Sequence, residues 1–115
     1  MKILMVTSEA APFAKTGGLA DVLGALPAAL ARLGEEVAVV LPKYSAVTVP
    51  TEPAWLNLRL WVGSHSYTVD IRESLHKGVR YLFVDCPVLF DRPTLYDEPD
   101  NHIRFALLNQ ASCLA

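Results

Sequence analysis

The sequence predicts an α/β domain: a parallel sheet with an antiparallel hairpin inserted in it. Three observations carry this. "KILMVTS", "EVAVVLP" and "VRYLFVD" are short, continuous apolar runs of the kind found in strands buried on both faces of a parallel sheet. Helical periodicity lies between the first two runs. Strict alternation of apolar and polar residues lies between the last two.

The elements follow in order. "KILMVTS" is the first strand. "EAAPFAKTGG" is too broken by proline and glycine to be regular. From Leu19, apolar residues recur at 19, 22, 23, 26, 30 and 33, the stripe of an amphipathic helix. Gly34 is placed to stop that helix, and Pro27 should kink or split it. "EVAVVLP" is the second strand, which makes the first 41 residues a βαβ unit with a right-handed crossover expected. Leu56, Leu58, Leu60 and Val62 then share one face, as do Tyr67, Val69 and Ile71, with "GSHS" as the turn between them. "HKG" is a second turn, and "VRYLFVD" returns the chain to the main sheet. "CPVLFDRPTLYDEPD" has three prolines and no period, so a loop is expected. Asn101 is a cap for a last helix that lines up Ile103, Ala106, Leu107 and Ala111. Three main strands are few for an open sheet, so the chain is expected to be the first part of a larger α/β domain.

The composition narrows the function classes. At 52% apolar residues the chain can fill a core and have apolar surface left over. A net charge of −2, with no basic stripe, argues against nucleic acid or anionic membrane as a partner. The start is too short for a signal peptide, and no run approaches the ~18 apolar residues of a membrane span. Cys86 and Cys113 lack metal-ligand spacing and are expected as buried free thiols in a reducing cytoplasm. Neither a metal nor a cofactor is expected.

The chemistry concentrates in "KTGGLADV". Ligands of open α/β sheets bind beyond the carboxyl ends of the strands, where this segment falls. A helix start offers free N–H groups and partial positive charge, glycines admit close approach, and Lys15 adds a full charge. A diphosphate cradle is one reading of Gly17 and Gly18. A tight turn is the other, since the segment fits no standard phosphate-loop pattern. Asp21 suits either a sugar contact or the helix dipole. Glu9 reads equally as a solvated loop acid. Asp85, Asp91, Asp97 and Asp100 form either a polar rim for a sugar or a solvated acidic loop. Tyr96 either stacks on a sugar or covers the core. Trp55 and Trp61 are expected to pack in the hairpin. His65, His76 and His102 are expected to be solvated.

"TSEAAPFAKTGGLADVLGALPAAL", "VVLPKY", "LFDRPTLYDE" and "DNHIRFALLNQA" together resemble the N-terminus of bacterial glycogen synthases and plant starch synthases. Only residues 46–78 match weakly. The resemblance implies a retaining glucosyltransferase of the GT-B type, with two Rossmann-like domains facing a cleft. It implies ADP-glucose as donor and the non-reducing end of an α-1,4-glucan as acceptor. Lys15, Gly17, Gly18 and Asp21 then fall on the donor side, and Glu9 and Tyr96 on the sugar and acceptor side. Residues 1–115 correspond to the N-terminal part of the catalytic domain, without the second domain. The expectations are a piece of an ADP-glucose-dependent glucan synthase, inactive and self-associating by itself. The alternatives are a non-catalytic glucan-binding or interaction module, or an inert fragment.

Overall fold

The computed structural model describes residues 1–92, 95–96 and 98–114. Five strands form one sheet: β1 (Lys2–Val6), β2 (Glu36–Pro42), β3 (Glu52–Val62), β4 (His65–His76) and β5 (Val79–Asp85). Three helices accompany them: α1 (Gly18–Arg32), α2 (Pro87–Phe90) and α3 (Asn101–Leu114). The strand order is β1-β2-β5-β4-β3. β1, β2 and β5 run parallel, while β4 pairs antiparallel with both β5 and β3. The hairpin is thus inserted in sequence between β2 and β5 but lies outside β5 in space. Among the described residues no helix is long and apolar enough to cross a membrane.

The core sits on both faces of β2 and β5, where Val39, Val40, Leu41, Leu82, Phe83 and Val84 are all buried. α1 covers one face: the Tyr81 hydroxyl reaches the Leu23 carbonyl at 3.5 Å. That carbonyl is the one orphaned by Pro27, which has no N–H to return four residues on. The helix consequently runs through Pro27 unsplit. Its end is a Schellman cap: Gly34, at φ 91°, donates to Ala31, and Glu35 donates to Leu30. Alternation along the strands puts Leu60, Val69 and Ile71 on the other face, under α3.

Both hairpin turns follow their backbone chemistry. Gly63, at φ 62°, leads the β3–β4 turn, and Lys77 and Gly78, both at positive φ, make the β4–β5 turn.

Several expectations change. β1 is an edge strand with Leu4 and Val6 exposed, not a strand buried on both faces. The α1 stripe divides: Leu23 is buried, but Leu19, Val22, Leu26 and Leu33 face outward. Leu56 leaves the inner face because β3 slips register between Trp55 and Leu58, with Asn57 at φ 58°. Trp61 is exposed rather than packed. The predicted loop after β5 opens with the single helical turn α2, whose first residue is Pro87. Asp100, not Asn101, takes the cap position before α3, since its carbonyl accepts from Ile103 and Arg104. Cys113 is exposed. His76 is half-buried, its ring centroid 5.5 Å from that of Phe13 in an edge-on contact.

Candidate functional site

The parallel strands β1, β2 and β5 open into loops at one end of the sheet, beginning at Thr7, Lys43 and Cys86. Hydrogen bonds tie them together. The buried Tyr44 hydroxyl donates to the Ser8 carbonyl at 2.7 Å. Ser45 donates to the Arg92 carbonyl at 2.6 Å. Tyr96 reaches across to the first loop, donating to Glu9 Oε2 at 2.8 Å. Its single proton is then used, so the 2.6 Å contact with Ser8 Oγ has the serine as donor.

Glu9 is the centre of this arrangement. It is 2% exposed. Oε1 accepts from the Gly17 and Ala20 N–H groups at 3.2 and 3.0 Å. Oε2 accepts from Thr16 at 2.5 Å as well as from Tyr96. Burial pushes the carboxyl toward its neutral form, but these four donors outweigh burial and hold it below the usual carboxylate range. The side chain therefore points into the protein, toward the chain's own donors.

Gly17 is the N-cap of α1, with an extended φ of −167°. Neither Gly17 nor Gly18 has a left-handed backbone. A Cβ on either would meet nothing within 4 Å. Neither backbone angle nor internal packing requires glycine here. What remains is open space above the helix start. Gly24 is the opposite case: its Cβ would lie 3.1 Å from that of Ala11, so α1 needs glycine there to pack on the first loop.

Lys15 and Asp21 stand beside the glycines and pair with each other, Nζ to Oδ1, at 2.6 Å. Their side chains are 55% and 60% exposed. The structure thus brings Lys15, Gly17, Gly18 and Asp21 together at the open start of α1, with Glu9 beneath them and Tyr96 at the side.

Of the acidic residues after β5, Asp100 has a partner inside the chain. Asp100 is held by Arg92 through both carboxylate oxygens, and that bond leads over burial in lowering its pKa. Asp97 lies outside the described residues. Among the described residues no group of three or more His, Cys, Asp or Glu is placed to hold a metal ion.

Arg104 is the residue that sequence reasoning missed. It is completely buried. It donates to the Leu89 and Leu95 carbonyls at 2.7 and 2.9 Å and to Asn101 Oδ1 at 2.9 Å. Its guanidinium lies between 5.6 and 5.7 Å from the rings of Tyr44, Phe90 and Phe105. The aromatic residues and prolines ahead of it were the only signal that a loop needed a buried donor.

Two surface grooves lie at the opposite end of the sheet. One, of about 660 Å³, is lined by Pro50, Thr51, Glu73, Leu75 and Arg80. The other, of about 410 Å³, runs over Leu4, Ala38, Leu82 and Leu75. Both lie away from the strands' carboxyl ends, where an open α/β sheet presents its ligand site.

Comparison with known proteins gives the family of the chain. Residues 2–115 match the family model of the starch synthase catalytic domain. The chain is 45% identical over 114 residues to glycogen synthase of Bacillus subtilis (strain 168), covering 96% of this chain and 24% of that protein. It is 45% identical over 119 residues to glycogen synthase of Roseobacter denitrificans, covering 95% of this chain and 24% of that protein. Among solved structures it matches the catalytic domain of starch synthase IV from Arabidopsis thaliana, bound to ADP and acarbose. That match has a TM-score of 0.80 and 29% identity, and covers 95% of this chain and 24% of the other. The chain thus spans about a quarter of the length of these relatives. The five-stranded sheet, the glycine-opened α1 and the matches along nearly every residue agree: this chain belongs to the starch synthase catalytic domain family.

Proposed function

We propose that the chain is the N-terminal piece of an ADP-glucose-dependent α-1,4-glucan synthase and supplies one wall of its donor site. The whole reaction moves glucose from the nucleotide sugar to the non-reducing end of a glucan, with retention at the anomeric carbon. The observation that carries the reading is the pair of glycines with no internal reason to be glycine. An absent side chain that the fold does not need leaves room for another molecule. A diphosphate there gains the positive end of α1 and the charge of Lys15. Asp21 faces the transferred glucose. The Arabidopsis starch synthase IV structure, bound to ADP and acarbose, supports a nucleotide and a carbohydrate as the two ligands. The two free cysteines suit a cytoplasmic setting.

Transfer needs donor, acceptor and reacting groups held together. One wall is not sufficient, so the 115-residue chain alone should be silent. The test is a chimera in which residues 2–115 replace the matching quarter of the Bacillus subtilis glycogen synthase. It should transfer glucose from ADP-glucose to a glucan. Clear preference for UDP-glucose would defeat the donor assignment. A folded chimera that binds glucan but neither binds nor uses ADP-glucose would favour a non-catalytic module.

A further inference from the structure

The start of a helix attracts anions, and here an anion is already built in. The Glu9 carboxylate takes the N–H groups of Gly17 and Ala20, the N-cap and third residue of α1. We propose that Glu9 and Tyr96 are positioning residues: Glu9 locks the K-T-G-G turn from beneath, and Tyr96 couples that lock to the loop between β5 and α3. This rests on the donor-site reading above and refines it. A donor's diphosphate would meet the Gly18 N–H and Lys15, not the amides that Glu9 holds.

The coupling can be followed bond by bond. In α3, Asn101 donates through its side chain to the Tyr96 carbonyl. Arg104 holds the neighbouring Leu95 carbonyl at 2.9 Å. Arg92 and Asp100 close the same loop. The Tyr96 backbone is thereby fixed to α3, while its hydroxyl is fixed to Glu9 and Ser8. Glu9 then holds Thr16, Gly17 and Ala20. An exposed aromatic ring on one loop so determines where the glycines of another loop stand. Glu9 itself, buried and filled by four donors, has no oxygen turned to a ligand.

Hydrogen exchange followed by mass spectrometry on the 115-residue chain tests this, with Glu9→Ala, Glu9→Gln and Tyr96→Phe. Glu9→Ala should speed exchange in residues 16–20 by about ten-fold or more, since charge-assisted bonds are lost. Peptides from β2 and β5 should stay near wild type. Glu9→Gln should restore most of the protection, because an amide oxygen still accepts from Gly17 and Ala20. Tyr96→Phe, a change at a partly exposed ring, should speed the same peptide by a smaller factor. If Glu9→Ala unfolds the chain globally, the other two variants decide. Unchanged exchange of residues 16–20 in Tyr96→Phe, or equal loss in Glu9→Gln and Glu9→Ala, overturns the proposal. ADP added to the wild-type chain separates the two readings. Slower exchange at residues 15–19 fits both. Faster exchange at Ala20 would mean that the nucleotide displaces Glu9, which overturns the positioning role. No effect of ADP counts against the donor reading and leaves the Glu9 result standing.

Discussion

Lys15 and Asp21 make a short ion pair, yet stability is not a sufficient reason for it. Both side chains are more than half exposed, and an exposed pair contributes ~0–1 kcal/mol. Lys15→Ala should therefore change the melting temperature little. In the chimera it should lower kcat/KM by about one to two decades, the worth of a charge-assisted contact to an anion. Lys15→Arg should not restore it fully, because a planar fork occupies space differently from a point charge. Near-normal kinetics in the alanine variant would remove Lys15 from the donor site. Glu9 should behave in the opposite way, affecting stability first. Its folded pKa is held low, so its contribution is complete above the ordinary carboxylate range and is lost as pH falls through the depressed folded value. The stability gap between wild type and Glu9→Gln should accordingly narrow on acidification, and a pH-independent gap would contradict a carboxylate role. The sequence makes "KTGG" conspicuous because glycines and a cation beside a helix start are a local pattern. It could not reveal that Glu9 turns inward, since three of its four donors lie seven to eleven residues away and the fourth is Tyr96.

The helix α1 contains glycines of two kinds, and they should respond oppositely to alanine. Gly24→Ala brings a methyl to 3.1 Å from the Ala11 Cβ and 3.2 Å from its carbonyl oxygen. Backbone cannot move aside cheaply, so a loss of about 1–3 kcal/mol is expected. Gly18→Ala meets open space and restores helix propensity, so it should be neutral or stabilise by up to ~1 kcal/mol. It should nonetheless weaken ADP binding. Thermal melts of both variants check the first part and calorimetric titration with ADP the second. If Gly18→Ala binds ADP normally, the open space has no ligand. The last helix, α3, has its own diagnostic residue. Arg104→Met strips donors from the Leu89 and Leu95 carbonyls and should destabilise by roughly 2–5 kcal/mol in a denaturant melt. A small change there would mean that water replaces the guanidinium. Strand runs, hairpin turns and helix ends were readable because each is a local signal: apolar runs, Gly63, Lys77-Gly78, Gly34. Burial was less so. The buried residues of α3 are Arg104, Leu107, Leu108, Ala111 and Ser112; Leu107 and Ala111 are as expected, while Ile103 and Ala106 are only half-buried. The apolar residues alone did not reveal an arginine that belongs to the core.

The two edges of the sheet differ, and the difference predicts how the chain behaves alone. β3 is a poor template for pairing: it carries a register slip at Leu56–Asn57 and charges at Glu52 and Arg59. β1 is short, regular and apolar, pairs only with β2, and leaves Leu4 and Val6 exposed. α1 adds the exposed stripe of Leu19, Val22 and Leu26. The handedness of the fold points to the same edge. α1 and α3 lie on opposite faces, so a right-handed crossover leading on from α3 to a further parallel strand would land beside β1. At α3, Leu107 and Leu108 are buried, and the Leu114 side chain lies outside the described residues. Association of the 115-residue chain should therefore proceed through β1. At ~25 cal/mol per Å², a few hundred Å² of apolar surface removed from water favours pairing by several kcal/mol before the entropy of association is subtracted. Light scattering over a range of concentrations should show a dimer or larger species. Leu4→Glu, which sets a charge on the exposed face of the free edge, should shift the chain toward monomer, whereas Arg59→Ala on β3 should not. A wild-type chain that stays monomeric with a sharp thermal transition would show that β1 needs no partner. A Leu4→Glu variant that still associates would move the contact to the α1 stripe instead.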